Sequence, residues 1–344
     1  APETSYWEQI EGRRRMLARM GRWTLYSLAI THAPELISFG IDTVEVCQLE
    51  VARNSRWVTS PSLYPVTEGI VEPSTKVTLG DSLGKGFVAN GQPSVSPDQL
   101  VTNSVNEYLS QGTWRHDDFS QVGATTDDVL MQLQDGSDVV RTLQTRRNID
   151  ITLSLLGNDL GDQILRKYGS FEAFEAKMQS PWNGPEMFMF MSDALSQYKQ
   201  NVTKILTRLE ELRQGGVDIK RVIIPGPPNF GYANGVSVRI PRVDRRGYET
   251  KIINLQNNQT AKKFGAVFAI ELFAAQTDIL DTVGEKIGFE ALIIDNFRIR
   301  HFSLDQHLLP RGYQQMAVNQ TNRYMGRFGR ANTTFTQEIH DRAS

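Results

Sequence analysis

The chain has 344 residues, 40% hydrophobic and 22% charged, with a formal net charge of -2. That is a globular composition with ample material for a core, and with a net charge this close to zero nothing points to a nucleic-acid partner or an acidic polymer. No apolar run approaches the roughly 20 residues needed to cross a bilayer, and a single cysteine, Cys47, excludes an internal disulfide.

Residues 1–72 read as an N-terminal extension packed on the main domain. A basic stretch, Arg13-Arg14-Arg15 with Arg19 and Arg22, lies beside Trp7, Trp23 and Tyr26. Its plainer reading is the solvated face of a surface helix; the alternative is contact with a membrane surface or a protein partner. Short β-like pieces follow, Thr43 to Val51 and Trp57 to Val66, broken by Pro61 and Pro65. The start, Ala1-Pro2-Glu3, fits a mature end left by removal of a targeting segment. It implies a secreted or periplasmic protein, or alternatively a mitochondrial one. Asn-x-Ser/Thr sequons at Asn201, Asn258, Asn319 and Asn332 lend the secretory route weak support.

Residues 73–330 form the main domain and 331–344 a C-terminal tail. Strands are predicted at Lys76–Leu79, Asp118–Val122, Ile149–Leu156, Arg221–Ile224 and Ala291–Asp295, several of them continuously apolar, as strands covered on both faces are. Helices are predicted at Pro97–Leu109 and at Thr125–Leu143, the second capped by Thr125 or Thr126 with Asp127 and Asp128 in its first turn. A long helix over Met187–Leu212 carries one apolar face through Leu195, Tyr198, Val202, Ile205 and Leu209, and Gly215-Gly216 ends it. The period repeats over Leu255–Ile287, and a last helix follows Pro310. Two stretches, Tyr168–Pro185 with Trp182 and Pro225–Thr250 with Tyr232, exceed ordinary connections and are read as pocket walls. Strand–helix alternation of this kind predicts a three-layer α/β/α sandwich on a five-stranded parallel sheet of flavodoxin-like type.

Such a sheet places reacting groups outside the carboxyl ends of its strands. Directly after the first predicted strand stands Gly80-Asp81-Ser82-Leu83, on a turn made flexible by Gly84 and Gly86. A serine hydroxyl becomes a nucleophile only with a base in reach and donors aimed at the oxyanion that forms. Ser82 would supply the hydroxyl and, at the start of a following helix, its own amide. Gly123 ends the second predicted strand, where a glycine lets the backbone approach a ligand; by itself it is a plain turn glycine. Asn158, in Gly157-Asn158-Asp159 after the third strand, can aim its amide at the same point, though such a pair is also an ordinary helix cap. Among the five histidines, His307 stands on a loop before Pro310, with Asp305 close enough to orient it; His301 is its competitor. The glycines around Lys85 fail the spacing of a phosphate-binding loop, and no His/Cys/carboxylate cluster has metal-ligand spacing.

The set resembles the GDSL esterase/lipase family, the SGNH hydrolases. Its first block is similar to Gly80-Asp81-Ser82-Leu83 with Gly86, its second to Gly123-Ala124-Thr125-Thr126, its third to Asn158-Asp159, and its fifth to His307 with Pro310, Gly312 and Tyr313. The likeness runs from about residue 75 to 326. Two positions depart from it: Leu156 stands where the third block has glycine, and Leu304 where the fifth has aspartate. The resemblance implies a serine esterase or lipase without a cofactor. Ser82 would be the nucleophile and His307 the base, with Asp305 as orienting acid. The oxyanion hole would comprise the Ser82 and Gly123 amides and the Asn158 side chain. The substrate would be a small-molecule, glycan or lipid ester. The alternative reading is a catalytically inactive binding or assembly subunit that keeps the fold; acyl transfer to a sugar or alcohol is a third.

Overall fold

The computed structural model describes residues 74–87, 96–108, 113–155, 157–170, 173, 174, 176, 184–233, 235–241, 248–254, 259–294, 296, 299, 302 and 307–325. The chain divides into two compact units, Ala1–Pro65 and Val66–Ser344; every described residue belongs to the second. The expected extension over 1–72, the contact surface assigned to it and the tail over 331–344 lie outside the described residues. Among those residues no helix is long and apolar enough to cross a membrane.

Five strands, β1 (Thr75–Gly80), β2 (Arg115–Asp118), β3 (Ile149–Ser154), β4 (Ile219–Pro225) and β7 (Glu290–Ile294), form one sheet in the order β2-β1-β3-β4-β7. Every neighbouring pair is parallel. Taken in chain order these five strands lie 2-1-3-4-5, the flavodoxin-like arrangement. The helices are α1 (Pro97–Tyr108), α2 (Thr126–Gln132), α3 (Asp138–Thr145), α4 (Asn158–Tyr168), α5 (Gly184–Gln214), α6 (Gln259–Val283) and α7 (Pro310–Met325).

Alternation along the strands builds the three layers. Val77, Leu79, Ile151, Leu153, Val222 and Ile224 join a large core with Val129 of α2, Leu133 just after it, and Val202, Ile205, Leu206 and Leu209 of α5. On the other face, Ile223 and Ile294 pack with Val101 of α1 and Ala317 of α7. That second face is also polar. Lys76, fully buried, pairs with Asp98 of α1 at 3.1 Å. The Asp98 carboxylate accepts the Thr78 hydroxyl at 2.5 Å and Gln320 Nε2 of α7 at 2.9 Å. Burial pushes the Asp98 carboxyl up, but Lys76, Thr78 and the other neighbours outweigh it and hold it below the usual carboxylate range.

Three expected elements differ. The single helix over Thr125–Leu143 is two, α2 and α3, parted at Gly136, whose φ of +77° a helix cannot contain. Ser137 caps the second, accepting from Val140 N–H. The second strand lies earlier than Asp118–Val122. Arg115–Asp118 is polar, and backbone pairing with β1, from Thr75↔Arg115 to Thr78↔Asp118, sets this edge strand rather than its side chains. The expected loop over Pro225–Thr250 contains a 3-10 turn (Phe230–Tyr232) and β5 (Gly235–Pro241), which pairs antiparallel with β6 (Tyr248–Asn254) in a separate two-stranded sheet.

Candidate active site

β1 ends at Gly80 with φ +121°, and a Cβ there would meet the Ser154 carbonyl at 1.9 Å. Only glycine fits, and its freedom lets the chain turn while still held to β3. The Asp81 amide donates to the Ser154 carbonyl at 2.7 Å. The buried Asp81 carboxylate then accepts the Leu83 amide at 3.0 Å and the Ser154 hydroxyl at 2.9 Å. A carboxylate that accepts an amide two residues ahead closes a local turn. Residues 82–86 form that turn, not the helix start expected from the sequence. Ser82 is thereby presented at the carboxyl end of β1.

Ser82 Oγ lies 2.8 Å from His307 Nε2, across 225 positions of sequence, and both side chains are buried. The imidazole packs against the residue that follows the Ser82 turn. Phe87 meets it edge-on, ring centroids 4.9 Å apart. The Tyr313 hydroxyl of α7 donates to the Phe87 carbonyl at 2.6 Å, tying the turn after Ser82 to the helix after His307. Leu308, fully buried, makes an antiparallel bridge to Phe302. Asp305 and His301 lie outside the described residues.

β2, β1 and β3 are consecutive neighbours in the sheet, so the segments leaving their carboxyl ends lie side by side, about 5 Å apart per strand. The segment after β2 stays against β1: Phe119 N–H donates to the Thr78 carbonyl at 2.9 Å and Gln121 N–H to the Gly80 carbonyl at 2.8 Å. Gly123 follows in left-handed conformation, φ +86°, exposed. Asn158 opens α4, and its Nδ2 donates to the Ala124 carbonyl at 2.9 Å. One hydrogen of that amide group is so used; the other is left for a further acceptor. Neither the Ser82 amide nor the Gly123 amide has a hydrogen-bond partner among the described residues. The structure thus joins Ser82 to His307 and Ala124, next to Gly123, to Asn158, and the strand order puts the segment that carries Ser82, after β1, next to those that leave β2 and β3.

Beside Asn158, the Asp159 carboxylate accepts the Thr126 amide, at 3.1 Å and 3.3 Å to its two oxygens, and the Thr126 hydroxyl at 2.5 Å. Burial pushes the Asp159 carboxyl up to about 6 against these hydrogen bonds. Thr125 caps α2, its hydroxyl and amide exchanging bonds with Asp128 in a capping box.

Sequence reasoning missed Ser154 and Asn201. Ser154 offered one signal, a hydroxyl in an otherwise apolar strand end. Asn201 offered a better one: it interrupts the apolar face of α5 between Tyr198 and Ile205, and it is buried, with Nδ2 donating to Thr126 Oγ1 at 2.8 Å. Its sequon is therefore closed to modification in the folded protein.

No family model matches the sequence, and no curated protein does. Solved structures similar to this chain include a lipase from a goat rumen metagenome, with 16% identity, 72% of this chain and 96% of that one covered, and a TM-score of 0.44. A lipase/acylhydrolase from Enterococcus faecalis follows at 15% identity, 74% and 96% coverage and a TM-score of 0.38. An acetylxylan esterase from Geobacillus stearothermophilus has 12% identity, 78% and 98% coverage and a TM-score of 0.40.

Proposed function

We propose that this protein hydrolyses carboxylic esters through a serine acyl-enzyme. The observation that carries the reading is the 2.8 Å contact between Ser82 Oγ and His307 Nε2, at the carboxyl end of the parallel sheet. In this reading His307 Nε2 takes the Ser82 proton as Oγ attacks the ester carbonyl carbon. The carbonyl oxygen becomes an oxyanion, which the Ser82 and Gly123 amides and the Asn158 side chain receive. Collapse breaks the bond to the alcohol oxygen, and His307 returns its proton there. Water then attacks the acyl carbon with His307 again as base, releasing the acid and restoring Ser82. Asp305, two positions before His307, is the proposed group that fixes the imidazole tautomer.

The test is turnover of a short-chain p-nitrophenyl ester together with labelling by a fluorophosphonate. Ser82→Ala or His307→Ala lowers kcat by roughly 10⁴–10⁶, and Ser82→Ala abolishes labelling. Asn158→Ala costs about 10²–10³ in kcat. A loss below about tenfold in Asp305→Ala indicates that Ser82 and His307 work as a pair. Well-folded protein that neither turns over nor labels overturns the reading and favours a non-catalytic binding subunit.

A further inference from the structure

The segments that carry Gly123 and Asn158 are joined at two levels. Asn158 Nδ2 holds the Ala124 carbonyl. One layer deeper, Asp159 holds both the amide and the hydroxyl of Thr126. Thr126 is fully buried, and its hydroxyl also accepts from Asn201 Nδ2 at 2.8 Å, midway along α5. The same Asn201 group reaches Asp127 Oδ1 at 3.0 Å.

The direction of this chain is fixed by chemistry. An amide nitrogen can only donate, and a hydroxyl has a single hydrogen. Asn201 therefore donates to Thr126, and Thr126 must donate to Asp159. A buried chain whose members all find partners is stiff, because any displacement strands a polar group in low dielectric. Nor is it needed to start α2, whose cap Thr125 and Asp128 already supply. What it adds is a fixed distance between the start of α2 and the start of α4, with α5 as the brace.

We propose that Asp159 and Asn201 are positioning residues which, through Thr126, set the separation of the Gly123 amide from the Asn158 side chain. The inference rests on the esterase reading, in which those two groups receive the oxyanion. Neither residue touches substrate; both act by holding donors whose misplacement by about 1 Å can cost as much as 10² in rate.

The experiment measures kcat and KM for a p-nitrophenyl ester, and the rate of fluorophosphonate labelling, in wild type, Asp159→Ala, Asn201→Ala, Thr126→Val and Thr126→Ser, with thermal melts as the folding control. Asp159→Ala and Thr126→Val lose about tenfold to a hundredfold in kcat and in labelling rate, with KM within about twofold. Thr126→Ser, which keeps the hydroxyl, retains most of the rate. In an Asn158→Ala background the loss from Asp159→Ala shrinks, since the donor it positions is gone. Folded Asp159→Ala or Thr126→Val with wild-type kcat overturns the inference, as does a loss that adds in full to that of Asn158→Ala. Should Asp159→Ala not fold, the Thr126→Val and Thr126→Ser pair decides the matter alone. Wild type that neither turns over nor labels defeats the esterase reading itself, a result distinct from active wild type with unaffected variants.

Discussion

Ser82 owes its position to three neighbours rather than to its own conformation. Gly80 makes the turn sterically available, Asp81 closes it, and Ser154 of the adjacent strand holds Asp81 from beneath. Gly80→Ala forces a Cβ into the Ser154 carbonyl and a side chain into left-handed backbone. Far-UV circular dichroism and yield should report a protein that fails to fold or unfolds at much lower denaturant. Ser154→Ala is the milder probe. It removes one hydrogen bond to a carboxylate, worth about 1.5–3 kcal/mol, which urea melts measure directly.

The elements meet one another through charged as well as apolar contacts. Arg221 of β4 reaches Asp150 of β3 at 3.0 Å and Glu290 of β7 at 3.1 Å, and the three residues share one register row across the sheet. Lys76 of β1 stands opposite Asp150 in the same row. A one-residue slip of any of these strands would carry its charge to the apolar face, so the row guards register. The Lys76–Asp98 pair extends it to α1. Breaking a buried pair by deleting one partner costs about 3–5 kcal/mol. Asp98→Ala is therefore expected to fall in that range by denaturant titration, whereas Arg141→Ala, on an exposed i,i+3 pair with Asp138, should change stability by less than about 1 kcal/mol.

For the whole molecule, two carboxyl groups tilt the dependence of stability on pH in opposite directions. Glu210, near the end of α5, accepts from Arg213, Gln214 and the Gly288 amide just before β7. Arg213 chiefly, against the cost of burial, holds its carboxyl down to about 2. The unfolded chain thus binds its proton first as pH falls, and the stability Glu210 adds above about 4.5 is lost between there and 2. Asp159 is the reverse. Its folded value of about 6 exceeds the ordinary 3.8, so folding takes up a proton between those values and stability declines as pH rises across them. Urea midpoints measured from pH 2 to 7 should flatten below 4.5 in Glu210→Gln and between 4 and 6 in Asp159→Asn.

How much of this was legible beforehand follows the range of the forces involved. Strand and helix periods, the Thr125 cap and the end of α5 at Gly215-Gly216 depend on a few successive residues, and they are readable because backbone sterics and one-sided burial act within that span. The polar edge strand at Arg115 was not, since a strand without an apolar face carries no local pattern; the break at Gly136 did leave a local mark, Asp135-Gly136 followed by the Ser137 cap, which the apolar period around it masked. The order of elements alone determined a parallel sheet with its loops gathered at one end. Only the tertiary structure decided that Ser82 meets His307, that Asn158 grips Ala124, and that Asn201 of a distant helix braces Thr126. Those contacts join residues from 34 to 225 positions apart, and a hydrogen bond of 3 Å is set by where whole strands and helices come to rest, which no run of neighbouring residues encodes.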